Sequence, residues 1–142
     1  MKRLQATLTR EAVRAIVQLR SACKPKDALT AIRGLPLLLR RHGLLATLGH
    51  FHNGGDAAEA SVAAGFVGAL AQVAPFTRPD APGRVRELAE EPLAAYLLHS
   101  RLALAMADAW VRVAEALLDE GGAARNAPRE SANCVEAERA PA

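Results

Sequence analysis

Apolar side chains recur every three or four residues over positions 3–23, which is the spacing of one face of an α-helix. Arg3, Arg10 and Arg14 fall on the opposite face. This pattern predicts an amphipathic first helix with one side in a core and one side in water. The residues on its apolar face are Leu4, Leu8, Ala12, Ile16, Leu19 and Cys23.

The residue types extend this helical prediction to the whole chain. Of 142 residues, 32 are Ala and 20 are Leu, whereas 9 are Val, 2 are Ile and 5 are aromatic. Sandwiches and barrels need β-branched and aromatic residues on their pleated faces, and Ala and Leu are strong helix formers. We therefore expect an all-α fold, a compact bundle of about five or six helices. The chain length is typical of a single domain.

The second helix is predicted to follow a break at Pro25, because proline disfavours helix in the residue before it. Asp27 is a candidate N-cap, and the apolar pattern extends to about His42. Pro36 lies inside this stretch and predicts a kink, with two short pieces as the alternative. Gly43 suits the left-handed position that follows a helix.

The rest of the chain alternates helical patterns with breaks. A short helix over residues 44–51 is predicted to end at Asn53-Gly54-Gly55, and Asp56 can cap the next helix. The three prolines of residues 75–83 indicate a loop. A helical domain over residues 1–120 is expected, followed by a disordered tail over 121–142. The three later helices are predicted at about 57–74, 84–91 and 92–119.

No motif in the chain predicts catalysis, a metal or a cofactor. His50 and His52 project to different sides of a helix and have no Cys or carboxylate at ligand spacing. The serines lie outside any nucleophile motif, and no phosphate-binding glycine loop occurs. We therefore expect a protein that is not an enzyme, with no cofactor and no metal site.

The chain also lacks the pattern of a membrane or secreted protein. Its charged first residues do not form a signal peptide. The uncharged segment Ala60–Thr77 is rich in Ala and contains two glycines and a proline, so a buried core helix is favoured over a membrane span. Cys23 and Cys134 form no disulfide framework, which fits two free thiols in a reducing compartment. We expect a cytoplasmic protein without a membrane partner.

Positive charge is concentrated in the first 50 residues, which contain ten Lys and Arg against two acidic residues. The remaining residues contain eight Arg against thirteen Asp and Glu. A basic cluster attracts a polyanion through its phosphates, whatever the base sequence. Because only five aromatic residues are available for base stacking, contact with a nucleic-acid backbone is favoured over contact with bases. On charge alone, a solvated face with no ligand is an equal alternative.

Two segments resemble a known family. Residues Gly34–Phe51 read GLPLLLRRHGLLATLGHF. They are similar to a signature of the small subunit of type III-B (Cmr-type) CRISPR RNA-guided effector complexes, in which Leu-Pro is followed by Asn-Gly-Leu and Thr-Leu-Ala-Phe. Here His42 replaces the Asn, and Gly49-His50-Phe51 replaces the Ala-Phe ending. Tyr96 and the stretch Trp110–Ala116, WVRVAEA, are similar to the family's Tyr and W-x-(K/R)-x-A-E-A.

The resemblance covers residues 1–120 and implies a non-catalytic structural subunit of an antiviral effector complex. Its implied partners are the large subunit, the backbone subunits, further copies of itself, the CRISPR RNA and the target RNA. Copies are expected to stack head to tail, the acidic half of one near the basic half of the next. A basic face would then contact the backbone of the guide–target duplex. The residues implied in that contact are Arg10, Arg14, Lys24, Lys26, Arg33, Arg40 and Arg41.

Each of these predictions has an alternative. Arg33 or Arg41 could instead form an ion pair with Glu87, Glu90 or Glu115, and Trp110 and Tyr96 are expected in the core rather than in an interface. The chain as a whole could be a stand-alone helical adaptor or regulator that binds protein or DNA through its basic face.

Overall fold

The computed structural model describes residues 2–119 of the chain. Six α-helices and one π-helical turn make up this part, and no strand occurs among these residues, so the predicted all-α fold is confirmed. The predicted C-terminal tail lies outside the described residues. The elements are α1 (Lys2–Ala22), α2 (Pro25–His42), α3 (Leu44–Gly49), the π-helical turn (His50–Gly54), α4 (Ala57–Val73), α5 (Ala81–Glu90) and α6 (Leu93–Leu118).

Four of these helices form a bundle in which α1 and α2 occupy diagonal corners. Helix α1 packs along α4 and α6, and α2 packs along the same two helices, whereas α1 and α2 touch in few places. The α1/α4 groove and the α2/α6 seam therefore lie on opposite sides of the bundle. The short helices α3 and α5 pack against each other; α5 also packs against α4, and α3 packs against α2. No helix among residues 2–119 is both long enough and apolar enough to cross a bilayer.

Large apolar side chains from all four bundle helices fill the core. Trp110 of α6 is fully buried, as predicted, and its ring meets Phe66 of α4 edge to face with centroids 5.2 Å apart. Leu8 and Ile16 of α1 and Ile32 of α2 are also fully buried. The edge-to-face arrangement of Trp110 and Phe66 stabilises the fold by about 1 kcal/mol beyond the burial of the two rings.

The predicted α4 N-terminus is confirmed in detail. The Asp56 side chain accepts a hydrogen bond of 2.8 Å from the Glu59 N–H, and the Glu59 side chain accepts one of 3.1 Å from the Asp56 N–H. This reciprocal capping box satisfies two backbone donors that have no partner inside the helix. It fixes the direction in which α4 leaves the π-helical turn.

Two predicted helix starts were wrong, both because proline opens a helix well. Asp27 is not the N-cap of α2: Lys24 holds that position and Pro25 follows it, since the missing N–H of proline costs nothing in the first turn. Helix α5 likewise begins at Ala81 rather than at residue 84, with a proline in its first turn. Helix α2 continues through Pro36 as one element, as expected, rather than splitting into two.

Candidate nucleic-acid interface

The outward side of α2 presents four of the seven predicted cations. Lys26, Arg33, Arg40 and Arg41 are all exposed, because α2 turns the apolar stripe from Ala28 to Leu39 into the core. At 1.5 Å per residue they span about 22 Å of helix. We name these four residues, together with Lys24 at the preceding turn, the α2 surface. Leu37 lies among them and is 57% exposed.

Two of these arginines form ion pairs with α6. The Arg33 guanidinium lies 3.4 Å from the Glu115 carboxylate and 3.3 Å from that of Asp119, and Arg40 lies 3.7 Å from Asp108. The alternative prediction of an Arg33–Glu115 pair is therefore confirmed. Because later residues of α2 pair with earlier residues of α6, the two helices run antiparallel. Half-exposed pairs of this kind stabilise a fold by about 0–1 kcal/mol.

The other three cations of the α2 surface have no carboxylate within ion-pair distance in the described part of the chain. Lys24 and Lys26 flank Pro25 at the turn from α1 to α2, and Arg41 lies in the last turn of α2. A cation in that last turn also interacts favourably with the carbonyl end of the helix. These three side chains can meet an external phosphate without leaving an internal partner.

The remaining two predicted cations, Arg10 and Arg14, lie on α1. Arg14 Nη1 is 3.5 Å from Oε1 of Glu11, whose side chain is 11% exposed, and Arg10 has no ion pair among residues 2–119. Arg14 also lines a groove of about 340 Å³ between α1 and α4. Arg84 of α5 lines the same groove, and its Nε donates to the Arg78 carbonyl oxygen at 3.0 Å.

The structure therefore does not bring the seven predicted residues onto one face. Five belong to the α2 surface, while Arg10 and Arg14 lie on the helix at the diagonal corner of the bundle. Arg84 is not among the predicted site residues: it begins the helix predicted over 84–91, and its place beside α1 depends on how that helix packs on α4. Whether any of these side chains binds RNA stays a prediction.

Three acidic residues from the second half of the chain form ion pairs with arginines of the first half. Asp108, Glu115 and Asp119 all face arginines of the basic first half across the α2/α6 seam. A charge match between the two halves thus occurs inside one molecule. Whether it also occurs between copies stays a prediction.

The side chains of His99 and Glu91 form a buried ionisable pair. Unlike the cations of the α2 surface, this pair is closed to solvent. The side chains are 3% and 8% exposed, and His99 Nδ1 lies 2.8 Å from Glu91 Oε1. The other ring nitrogen lies 3.0 Å from the Pro75 carbonyl oxygen. Both nitrogens are thus engaged, and the pair ties the linkers on either side of α5 to α6.

Other chemistry-bearing groups are dispersed. Among residues 2–119 no three His, Cys, Asp or Glu side chains lie close enough together to hold a metal ion. Cys23 is a free, half-buried thiol; burial, and then the negative charges of Asp27 and Asp56, raise its pKa. A raised pKa leaves the thiol protonated and poorly nucleophilic at neutral pH.

Comparison with known proteins gives one match. The family described as CRISPR-associated protein (Cas_Cmr5) matches residues 4–117, which include α2 and nearly all of α1 and α6. No curated protein and no solved structure matches the chain.

Proposed function

Because the chain belongs to the Cmr-type (type III-B) small-subunit family of CRISPR-associated proteins, we propose that it acts there as a non-catalytic structural subunit. In this proposal the α2 surface contacts the phosphate backbone of the guide–target RNA duplex. Sequence readout is left to base pairing between the two RNA strands. The same proposal gives the chain the CRISPR RNA, the target RNA, the large subunit, the backbone subunits and further copies of itself as partners.

The α2 surface is the observation that supports an RNA contact. Its cations are spaced along one helix, and a helix side of about 22 Å can follow several phosphates of one strand. Lys24, Lys26 and Arg41 have no internal ion pair among residues 2–119, so their contact with phosphate requires no internal bond to break. Recognition of duplex RNA by shape and phosphate contacts needs no base-reading side chains.

The assignment of no reaction to this chain is supported by the state of its buried ionisable groups. His99 is the buried histidine of the described part, and both of its ring nitrogens already face oxygen atoms of the protein. A general acid or base must instead reach a substrate atom. Cleavage chemistry would then belong to other subunits of the complex.

Two separate apolar patches support stacking of copies. Leu93, Leu97 and Leu98 at the start of α6 are 71%, 47% and 50% exposed, and Val13 and Val17 on α1 are 41% and 51% exposed. Such patches are typical of protein contacts. If the α6 residues of one copy pack on the α1 residues of the next, the contact is heterologous and extends a line of copies instead of closing a dimer.

Purification from the native locus tests the proposed function. A tagged copy should co-purify with CRISPR RNA and with several larger proteins. A matched sample carrying Arg40→Glu and Arg41→Glu should retain the protein partners but less target RNA. If the tagged wild-type chain brings down no RNA, the proposed function is wrong.

A further inference from the structure

A small cavity lies where α2 meets α3 and the π-helical turn, just past the last cations of the α2 surface. Its volume is about 280 Å³, and it is lined by Leu38, His42, Ala46, Thr47 and His50. His42 is the residue after Arg41, and His50 is the first residue of the π-helical turn. π-helical turns occur frequently at functional sites.

Thr47 gives this cavity an unused polar group. Thr47 is only 3% exposed, and its buried hydroxyl oxygen has no hydrogen-bond partner in the described part of the chain. A buried hydroxyl without a partner costs about 1–3 kcal/mol, so proteins rarely leave one unpaired without a reason. Because this oxygen is closed to solvent, a ligand can bond to it only after a side chain of the cavity wall moves aside, and a donor or acceptor brought there would remove that cost.

The lining indicates the class of ligand. It has no Lys, Arg, Asp or Glu side chain, which disfavours a charged ligand, and its walls are two imidazole rings and two aliphatic side chains. Imidazole rings stack on flat π-systems, as the aromatic residues of RNA-binding proteins do. A neutral, planar group with hydrogen-bonding edges matches these features.

We propose that the cavity binds one unstacked nucleobase of an RNA strand whose phosphates lie on the α2 surface. The base stacks on His50 with His42 on the other side of the cavity, and its polar edge bonds to the Thr47 hydroxyl. The proposal rests on the proposed function, because it takes its strand from the α2 surface. The sequence disfavoured base contact because only five Phe, Tyr and Trp residues are available for stacking; histidine rings, which can also stack on bases, were not counted.

Geometry at His50 supports a ring held in place at the rim. A Cβ on Gly54 would lie 3.4 Å from His50 Nδ1, so the glycine leaves room for the imidazole. The His50 ring also lies 6.1 Å from the Phe51 ring, tilted by 56°, while Phe51 itself is buried. The imidazole is thus placed by its neighbours yet exposed to an incoming base.

Two fluorescent 12-nucleotide RNAs test the proposal: oligoadenylate and a strand of the same length with abasic sites. The full chain should bind oligoadenylate about fivefold or more tightly, as expected for one stacked base. His50→Ala, and the nearly isosteric Thr47→Val, should lower oligoadenylate affinity toward the abasic value. Neither variant should change binding of the abasic strand. Circular dichroism and urea unfolding check that both variants fold.

Arg41→Gln separates this proposal from the proposed function. It should weaken binding of oligoadenylate and of the abasic strand by a similar factor, because it removes a phosphate contact and no base contact. Equal wild-type affinity for the two strands, with the Arg41 effect intact, would overturn the nucleobase cavity alone. The nucleobase cavity would also be overturned if His50→Ala weakened binding of both strands equally. If the wild-type chain binds neither strand at low salt, both the cavity and the RNA contact of the α2 surface are wrong.

Discussion

The Tyr96 hydroxyl of α6 accepts a hydrogen bond of 3.1 Å from the backbone N–H of Leu45. Leu45 lies in the first turn of α3, which has no side-chain N-cap, so Tyr96 satisfies one of its unpaired donors. The left-handed Gly43 (φ 85°) precedes α3, and a Cβ there would lie 3.5 Å from the same hydroxyl. The two segments that resemble the small-subunit family, Gly34–Phe51 and the Tyr96 region, thus meet in the folded chain.

Removal of this hydroxyl should destabilise the protein without changing its fold. We expect Tyr96→Phe to lower the free energy of unfolding by about 1 kcal/mol, because a half-buried N–H loses its partner. Urea unfolding followed by circular dichroism measures this change as a shift in midpoint at constant slope. An unchanged midpoint would mean that water replaces the hydroxyl at no cost.

The buried pair of His99 and Glu91 should contribute more, since neither side chain can turn to water. Glu91→Leu should cost about 3 kcal/mol, because it leaves His99 Nδ1 buried without a partner. The double variant Glu91→Leu with His99→Leu should lose less than the sum of the two single variants. Urea unfolding of all four proteins gives the coupling, and strict additivity would contradict a direct interaction.

Glu87 should make stability depend on pH in the acid range. Burial alone would raise its pKa, but hydrogen bonds from the Thr77 N–H and hydroxyl and from the Arg78 N–H, with the Arg78 charge, lower it. A lowered folded-state pKa stabilises the fold above the unfolded-state value of about 4.3, and this stabilisation is lost as the pH falls through the folded-state value.

We therefore expect the free energy of unfolding of the wild type to fall more steeply below about pH 4.3 than that of Glu87→Gln. At pH 7 the variant should be the less stable protein, and the gap should narrow with acid. Urea midpoints from pH 7 to pH 3 provide the comparison. Parallel curves for the two proteins would show that the Glu87 contacts do not favour the carboxylate.

Local signals in the sequence predicted most of the helices, because capping and periodicity act over a few residues. Asp56 could be identified as a cap because Asp is a preferred N-cap residue and directly follows the break at Asn53-Gly54-Gly55. Asp27 is the third residue of α2, not its cap. The sequence did not separate the two positions, because carboxylates are favoured both at the N-cap and in the first turn of a helix. The sequence predicted a short helix over residues 44–51 that ends at Asn53-Gly54-Gly55, whereas the structure has a π-helical turn over His50–Gly54, which has no distinctive composition.

The arrangement of the cations could not be predicted, because it depends on which helices pack side by side. A short turn joins α1 to α2, yet α4 and α6 separate them over most of their length. Arg14 and Arg40 therefore share a basic sequence region without sharing a surface. The resemblance to the small-subunit family identified the chain but did not distinguish these two positions.

Two glycines of α4 offer a matched test of helix packing. A Cβ on Gly65 would lie 3.4 Å from the Trp110 ring and 3.8 Å from Leu19, whereas a Cβ on Gly68 would meet no atom within 4 Å. Gly68→Ala should therefore stabilise the protein by about 0.5–1 kcal/mol, the helix preference of Ala over Gly. Gly65→Ala should gain less, because the Trp110 ring must shift. Thermal unfolding of both variants compares them, and an equal gain would mean that this contact is loose.

The separation of the α2 surface from the arginines of α1 leads to a prediction for RNA binding. Arg41 and Arg10 are both exposed arginines without an ion pair among residues 2–119, but they lie on helices at diagonal corners. Arg41→Gln should weaken binding of a labelled RNA duplex about fivefold and reduce the salt slope by about one. Arg10→Gln should leave both quantities unchanged. Fluorescence anisotropy over a salt series measures both, and equal losses for the two variants would contradict an interface confined to α2.

Arg33 should behave differently from Arg41 although both belong to the α2 surface. Its guanidinium is engaged with Glu115 and Asp119, so a phosphate must compete with two carboxylates for it. Arg33→Gln should therefore weaken RNA binding less than Arg41→Gln does, while lowering the free energy of unfolding by no more than about 1 kcal/mol. The same anisotropy series with urea unfolding tests both parts. A larger binding loss for Arg33→Gln than for Arg41→Gln would mean that RNA displaces the two carboxylates and takes Arg33 as its main contact.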